Sequence, residues 1–159
     1  MSSKTLCYLV RAAVIAVAVC GLGGCVLLLP AASAGIALQN PQLAYMRLPW
    51  LVFLWMTVAP CFAILFYMWR IAYAIKIEQV FTQRTADWVK KSALILFADI
   101  CFFFTGNIVL LFLNMNHPGI LLISLCIDVF GFALAILAAV LSRYITKAAV
   151  LQEEADATV

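Results

Sequence analysis

Charged residues are scarce in this sequence. They make up 11% of 159 residues, while 67% are hydrophobic. A soluble domain is about 25% charged and about half apolar, so the composition departs from a soluble fold in the direction that lipid requires. No polar segment carries a basic stripe, which argues against direct nucleic-acid binding. We expect a single membrane domain over 1–159, without room for a separate soluble domain.

Residue patterns for metal binding and catalysis are also missing. The sequence has one histidine, His117, and none of its six cysteines forms a CxxC pair. The cysteines lie in or next to apolar runs, where free cysteine behaves as a small hydrophobe. No HExxH, GxSxG or P-loop pattern occurs. We therefore expect no metal site, no cofactor, no disulfide framework and no enzymatic activity.

What the sequence does contain is four long apolar runs, at about 12–32, 49–69, 92–113 and 118–141. A helix needs about 20 mostly apolar residues to cross the hydrocarbon core. The pattern predicts an all-α integral membrane bundle of four antiparallel transmembrane helices. The first run favours a retained span over a cleaved signal, because it continues past Cys25, beyond the length of an ordinary signal segment.

Lysine and arginine predict the orientation of these spans. Nine of the ten lie before the first run, between the second and third runs, or after the fourth. The connector between the first two runs has only Arg47, and the connector between the last two has none. Cytoplasmic loops carry the excess of basic residues. We therefore expect both termini in the cytoplasm, with a cytoplasmic loop at 70–91 and a cytoplasmic tail at 142–159.

The connectors have their own signals. Residues 114–119, Asn-Met-Asn-His-Pro-Gly, are rich in turn formers and predict a tight turn between the last two spans, with His117 solvated at its tip. In the loop at 70–91, Thr82 is predicted to cap a helix that leads into the third span. The tail is predicted to continue the fourth helix.

Three side chains with a carboxyl or carboxamide group fall inside the apolar runs: Asp99, Asn107 and Asp128. An acidic side chain at the centre of a spanning helix costs about 2.5–3.5 kcal/mol, so such residues are hidden, paired or protonated. In one interpretation they are structural, with Asp128 hydrogen bonded as a neutral acid to Asn107 or to a backbone carbonyl. In the other, Asp99 and Asp128 form a path for protons or cations. The sequence leaves both interpretations open.

Small residues predict which helix faces meet, because they let membrane helices approach closely. In the fourth span they share a stripe with Asp128, namely Gly131, Ala135, Ala139 and Ser142. In the third span, Asp99 shares a stripe with Ser92 and Gly106. The first span offers a matching stripe of Ala12, Ala16, Cys20 and Gly24. We expect these stripes to form the helix contacts.

The chain resembles a family of bacterial four-span membrane proteins, the "domain of unknown function 2975" family. Residues 151–159, Leu-Gln-Glu-Glu-Ala-Asp-Ala-Thr-Val, resemble that family's Leu-x-Glu-Glu-Asn-Asp-Leu-Thr-Ile ending, and Val80-Phe81-Thr82 resembles its step before the third span. Ala155 and Ala157 depart from the pattern. The resemblance implies a location in the bacterial inner membrane and no established activity. It also implies a cytoplasmic helix-turn-helix transcription regulator as partner.

Two functions follow as hypotheses. The first is a non-enzymatic regulatory or binding protein, embedded in the lipid bilayer, that contacts a cytoplasmic partner through its tail. The acidic residues assigned to that contact are Glu153, Glu154 and Asp156. The alternative is a small proton- or cation-coupled transporter that uses the intramembrane aspartates. Self-association into a homo-oligomer is compatible with either function.

Overall fold

The computed structural model describes residues 3–157, apart from the side chain of Asp156, and this part of the chain contains helices but no strand. The predicted all-α fold class is confirmed. Five α-helices, a π-helical segment and a short 3₁₀ helix follow one another along the chain. Their bounds are α1 Ser3–Gly23, π-helix Gly24–Leu28, α2 Leu29–Gln39, 3₁₀ helix Pro41–Met46, α3 Arg47–Lys76, α4 Gln83–Phe112 and α5 Pro118–Ala157.

Within the described residues, four helical segments are long and apolar enough to cross a membrane, as the sequence predicts. They are Ser3–Gln39, Pro41–Lys76, Gln83–Phe112 and Pro118–Ala155. Most of their large apolar side chains are exposed on the isolated chain. In a bilayer these side chains face lipid tails, which are as apolar as leucine, so their exposure there carries no hydrophobic cost.

The first segment changes its helical pitch midway, which the sequence did not predict. The π-helix of Gly24–Leu28 joins α1 to α2 without a break in the helical backbone. The indole N–H of Trp55 in α3 donates a hydrogen bond to the carbonyl of Cys25, at 3.1 Å. A π-helical turn widens the helix locally and often lies near functional positions. Here Trp55 ties that turn to α3.

The ends of α4 form as the sequence predicts. Thr82 is the N-cap of α4, and its hydroxyl accepts a hydrogen bond from the backbone N–H of Thr85 at 3.3 Å. At the other end, Asn114 takes a left-handed conformation with φ of 55°, which asparagine tolerates better than most residues. The exposed His117 directly precedes α5, and its Nδ1 accepts a hydrogen bond from the N–H of Gly119 in the first turn of that helix.

The helices pack in chain order: α1 against α3, α3 against α4, and α4 most extensively against α5. Residues 113–117 mark one end of the molecule, which we name the turn end. The connector 77–82 and residues 143–157 mark the opposite end, which we name the tail end. A hydrophobic cluster at the tail end joins three helices, with Ala86, Val89 and Ile145 buried against Ile71.

The predicted helix faces are partly correct. In α5, Asp128, Ala135 and Ser142 are buried as expected, but Ala139 is exposed and the half-buried Ala138 takes its place. In α1 the predicted stripe is wrong, because Ala12, Ala16 and Cys20 are exposed. The buried and half-buried residues of α1 include Cys7, Arg11, Val14, Ala18 and Gly21. Small size alone does not select this face, since α1 is rich in small residues all around.

Candidate functional site

Asp128 is buried in the first third of α5. Its side chain is 6% exposed, on the same face as Ser124, Ala135 and Ser142. The Oδ2 atom of Asp128 is buried and has no hydrogen-bond partner among the described residues. A buried carboxylate without a partner is costly in an apolar medium. This oxygen therefore requires a proton, a ligand or a partner that enters from outside the described chain.

Asp99 lies half-buried on α4, next to α3. Its Oδ2 accepts a weak hydrogen bond from the thiol of Cys61, with the sulfur at 3.8 Å, while its Oδ1 is buried without a partner among the described residues. Cys61 follows Pro60, the proline inside α3. Pro60 and Asp99 line the same small cavity, of about 340 Å³. Asp99 thus borders an open space at the α3–α4 contact whose other lining side chains are apolar.

Asp99 on α4 and Asp128 on α5 lie on helices that pack extensively against each other, and no described hydrogen bond joins the two carboxyl groups. Among residues 3–157, no cluster of three or more His, Cys, Asp or Glu side chains forms a candidate metal site.

Asn107 has a structural partner other than Asp128. Its side chain is completely buried, and its amide donates to the carbonyl of Phe103 at 2.9 Å. Its Oδ1 accepts a hydrogen bond from the side chain of Asn116, at 3.1 Å. The hydrogen bond considered between Asp128 and Asn107 is therefore not formed. The turn folds back onto α4, which brings the side chain of Asn116 within hydrogen-bond distance of Asn107.

The tail residues stand apart from the aspartates. Helix α5 continues to Ala157, with Ile145 and Ala149 buried at the tail end. Glu153 and Glu154 are exposed beyond these anchors. Asp156 lies on the same helix, but its side chain is outside the description. Helix α5 has 40 residues, which corresponds to about 60 Å, against about 30 Å of hydrocarbon.

Sequence reasoning missed a set of cation–aromatic contacts at the tail end. The guanidinium of Arg11 lies 4.7 Å from the ring centre of Trp69, and that of Arg70 lies 5.7 Å from the ring centre of Trp88. Arg84 lies 5.6 Å from the same Trp88 ring. The available signal was the coincidence of tryptophan and arginine at the ends of the apolar runs. These contacts hold the basic residues close to the helices.

A second set of missed contacts lies at the turn end. The indole N–H of Trp50 donates to the carbonyl of Met115 at 2.6 Å, and the hydroxyl of Tyr45 is 3.5 Å from the carbonyl of Asn114. Both carbonyls belong to the turn between α4 and α5. Tyr45 and Trp50 thus fix the 3₁₀ helix and the start of α3 to that turn.

Comparison with known proteins gives a family and no activity. Neither the curated proteins nor the solved structures provide a match to this chain. A family model described as "Protein of unknown function (DUF2975)" matches residues 31–159. This match covers α3, α4 and α5, which carry Asp99, Asn107, Asp128 and the acidic tail. The chain belongs to the DUF2975 family.

Proposed function

We propose that the chain is a non-enzymatic binding protein of the bacterial cytoplasmic membrane, with four antiparallel spans and both ends in the cytoplasm. The distribution of charge supports this orientation. The basic side chains of Arg70, Arg84 and Arg143 lie at or near the tail end, whereas Arg47 lies near the turn end. Basic residues accumulate on the cytoplasmic side of membrane proteins.

The binding surface in this proposal is the tail of α5. The observation that carries it is the unbroken course of α5 from the turn end to Ala157, well past the length that a bilayer requires. Burial of Ile145 and Ala149 fixes the direction in which the tail leaves the other helices. A tail held in this way presents Glu153 and Glu154 at fixed positions, which lowers the entropic cost of binding.

The partner we propose is a cytoplasmic transcription regulator with a helix-turn-helix domain. Such a domain carries a basic surface for nucleic-acid phosphates. The exposed carboxylates of Glu153 and Glu154 are complementary to that surface. Binding to the tail would hold the regulator at the membrane and compete with its binding to nucleic acid.

Charge reversal in the tail tests this proposal. Deletion of residues 148–159 would also remove Ala149, which is buried, so truncation after Leu151 is the sharper variant. We expect the truncation and the double variant Glu153→Lys, Glu154→Lys to lose capture of the regulator from solubilised membranes. The matched control is Asp87→Lys, because Asp87 is exposed near the start of α4. Equal capture by the control and tail variants would contradict the proposal.

A second candidate function is proton-coupled transport through Asp99 and Asp128. Two buried carboxyl oxygens without partners, Oδ1 of Asp99 and Oδ2 of Asp128, favour it. Asp128→Asn keeps the shape of the side chain but cannot ionise, so it should abolish proton flux into vesicles that contain the reconstituted protein. Ser124→Ala, on the same face of α5, is the control and should leave flux unchanged. Flux that persists in the Asp128 variant would exclude this function.

A further inference from the structure

A cavity of about 590 Å³ lies near the turn end. It is an open pocket bordered by α2, the 3₁₀ helix, the first turns of α3 and the turn before α5. Its volume is within the roughly 300–1,000 Å³ of typical small-molecule sites. The cavity is separate from both aspartates and from the tail, since none of those residues lines it.

Most side chains that line the cavity are apolar. Trp50 and Leu51 come from α3, and Ala32 and Ala37 come from α2. The hydrogen bond from Trp50 to the carbonyl of Met115 fixes one wall of the cavity. Small side chains on the α2 wall leave room that larger ones would fill. A hydrocarbon chain suits such a lining, because it offers no polar atom that would need a partner.

The course of the first membrane segment explains why the space stays open. Helix α1 packs along α3 extensively, but α2 packs on α3 only slightly. The change occurs across the π-helix of Gly24–Leu28 and Pro30, the second residue of α2. An added Cβ at Gly35 would meet no atom within 4 Å. The wall formed by α2 therefore lies away from its neighbours instead of closing the cavity.

A single positive charge borders the cavity. Arg47 is the only lysine or arginine between Arg11 and Arg70, and the first acidic residue in the sequence is Glu78. The Nε–H of Arg47 donates to the hydroxyl of Ser33 across the cavity, at 3.2 Å. Guanidinium has five N–H donors in a planar fork that matches phosphate oxygens. One of the five is used by Ser33.

The depth of the cavity in the membrane identifies its occupant. The irregular backbone of residues 113–117 lies outside the hydrocarbon, because Leu113, Asn114 and His117 are exposed and irregular backbone does not face lipid tails. Trp50, at the same end, is a residue type that prefers the membrane interface. The cavity thus lies just inside a membrane surface, with Arg47 at the level of lipid headgroups. A lipid in the adjacent leaflet can place an acyl chain in the cavity and its phosphate beside Arg47.

We propose that the cavity binds an anionic phospholipid of the adjacent leaflet. One acyl chain occupies the space between α2 and α3, and the phosphate lies against the guanidinium of Arg47. The lipid fills the gap that the π-helix and Pro30 leave between α2 and α3. This site is independent of the tail and of the proposed cytoplasmic partner, so either can fail without the other.

Quenching of Trp50 fluorescence tests the lipid site. The full chain is reconstituted in vesicles that contain phosphatidylglycerol or phosphatidylcholine with brominated acyl chains, which quench tryptophan on contact. The difference between the natural chain and Trp50→Phe gives the Trp50 signal. We expect half-maximal quenching at about fivefold less brominated phosphatidylglycerol than phosphatidylcholine, as one cation near the membrane surface would produce.

Three variants separate the lipid site from general contact with the bilayer. Arg47→Gln should remove the preference for phosphatidylglycerol, while Arg70→Gln, at the tail end, should retain it. Ala37→Phe should fill the cavity and weaken quenching by both lipids. Equal quenching by the two lipids in the natural chain would overturn the proposal. A preference that survives in Arg47→Gln would overturn it as well.

Discussion

The membrane segments of α4 and α5 are each similar in length and hydropathy to the first membrane segment, Ser3–Gln39. The two regions nevertheless pack in different ways. Helices α4 and α5 bury polar or small side chains along their contact, including Ser92, Ser142 and Ala135. Across Ser3–Gln39, Cys7 is the one buried side chain that the structure describes. The contact between α4 and α5 is therefore close and partly polar. The first segment packs on α3 through α1 but buries few side chains, and its α2 part packs on α3 only slightly.

This difference shows which interactions fix the position of one helix against another inside a membrane. Lipid tails and apolar side chains are equivalent surroundings, so apolar character alone does not fix how a helix packs. Close approach of small residues and interhelical hydrogen bonds do fix it. The hydroxyl of Ser142 donates to the carbonyl of Ala86 at 2.9 Å, and Gly131 lets Ile100 approach α5 closely. The first segment has few such contacts, and the lipid-sized cavity lies beside it.

The largest expected effect is on the α3–α4 contact at Gly106. A Cβ at this position would overlap the ring of Phe53, which is buried and stacked on Phe103 with ring centres 5.6 Å apart. Gly106→Ala should lower the free energy of unfolding by about 1–3 kcal/mol, as overpacking does. Reversible unfolding in mixed detergent micelles measures this change.

The matched control for that prediction is Gly23→Ala in α1. An added Cβ there meets no atom within 4 Å. We expect a change within about 0.5 kcal/mol. If Gly23→Ala destabilised the protein as much as Gly106→Ala, the first segment would be packed as closely as the others and the comparison would be wrong.

The next largest effect is expected at Asn107. Its replacement by alanine removes a completely buried side chain and its hydrogen bond with Asn116. We expect a loss of about 1–2 kcal/mol, toward the upper limit measured for polar contacts between membrane helices. A double-mutant cycle with Asn116→Ala isolates the contribution of the pair. Additive losses would show that the two asparagines act separately.

The smallest effect is expected at Ser142. Ser142→Ala removes the hydrogen bond to the carbonyl of Ala86, which should cost about 0.6 kcal/mol. Thr146→Val is the control, because the Thr146 hydroxyl bonds only within α5, to the carbonyl of Ser142, among the described contacts. Both variants are compared in the same micelle assay. A larger loss of unfolding free energy for Thr146→Val than for Ser142→Ala would show that the hydrogen bond between helices does not stabilise the protein more than one within a helix.

Much of the fold could be predicted from the sequence because the signals were strong and local. Apolar runs long enough to span a bilayer predicted the four membrane segments, and Thr82 predicted the start of α4. The side of α1 that packs could not be predicted. Small residues surround that helix, and contact is selected by α3 residues such as Phe62, which lies near Gly21. The π-helix also depends on such a contact, from Trp55 to Cys25.

The sequence identified the residues of the candidate site but not the contacts that they make. Aspartate in an apolar run marked Asp99 and Asp128, because their burial is costly wherever the helices pack. The partner of Asn107 was missed, since it depends on how the turn folds Asn116 back onto α4. The cavity beside Arg47 was also missed. It lies where α2 packs on α3 less than α1 does, and the only sequence signal of that change was Pro30.

A site-specific photocrosslink at position 153 tests the central claim most directly. A photoreactive amino acid replaces Glu153 in the tail or, as a control, Leu43 in the 3₁₀ helix, both of which are exposed. Crosslinking is carried out in native membranes, and the adducts are identified by mass spectrometry. The account predicts an adduct between position 153 and a cytoplasmic protein with a helix-turn-helix domain, and no such adduct at position 43. The absence of this adduct at position 153, or its presence at both positions, would contradict the account.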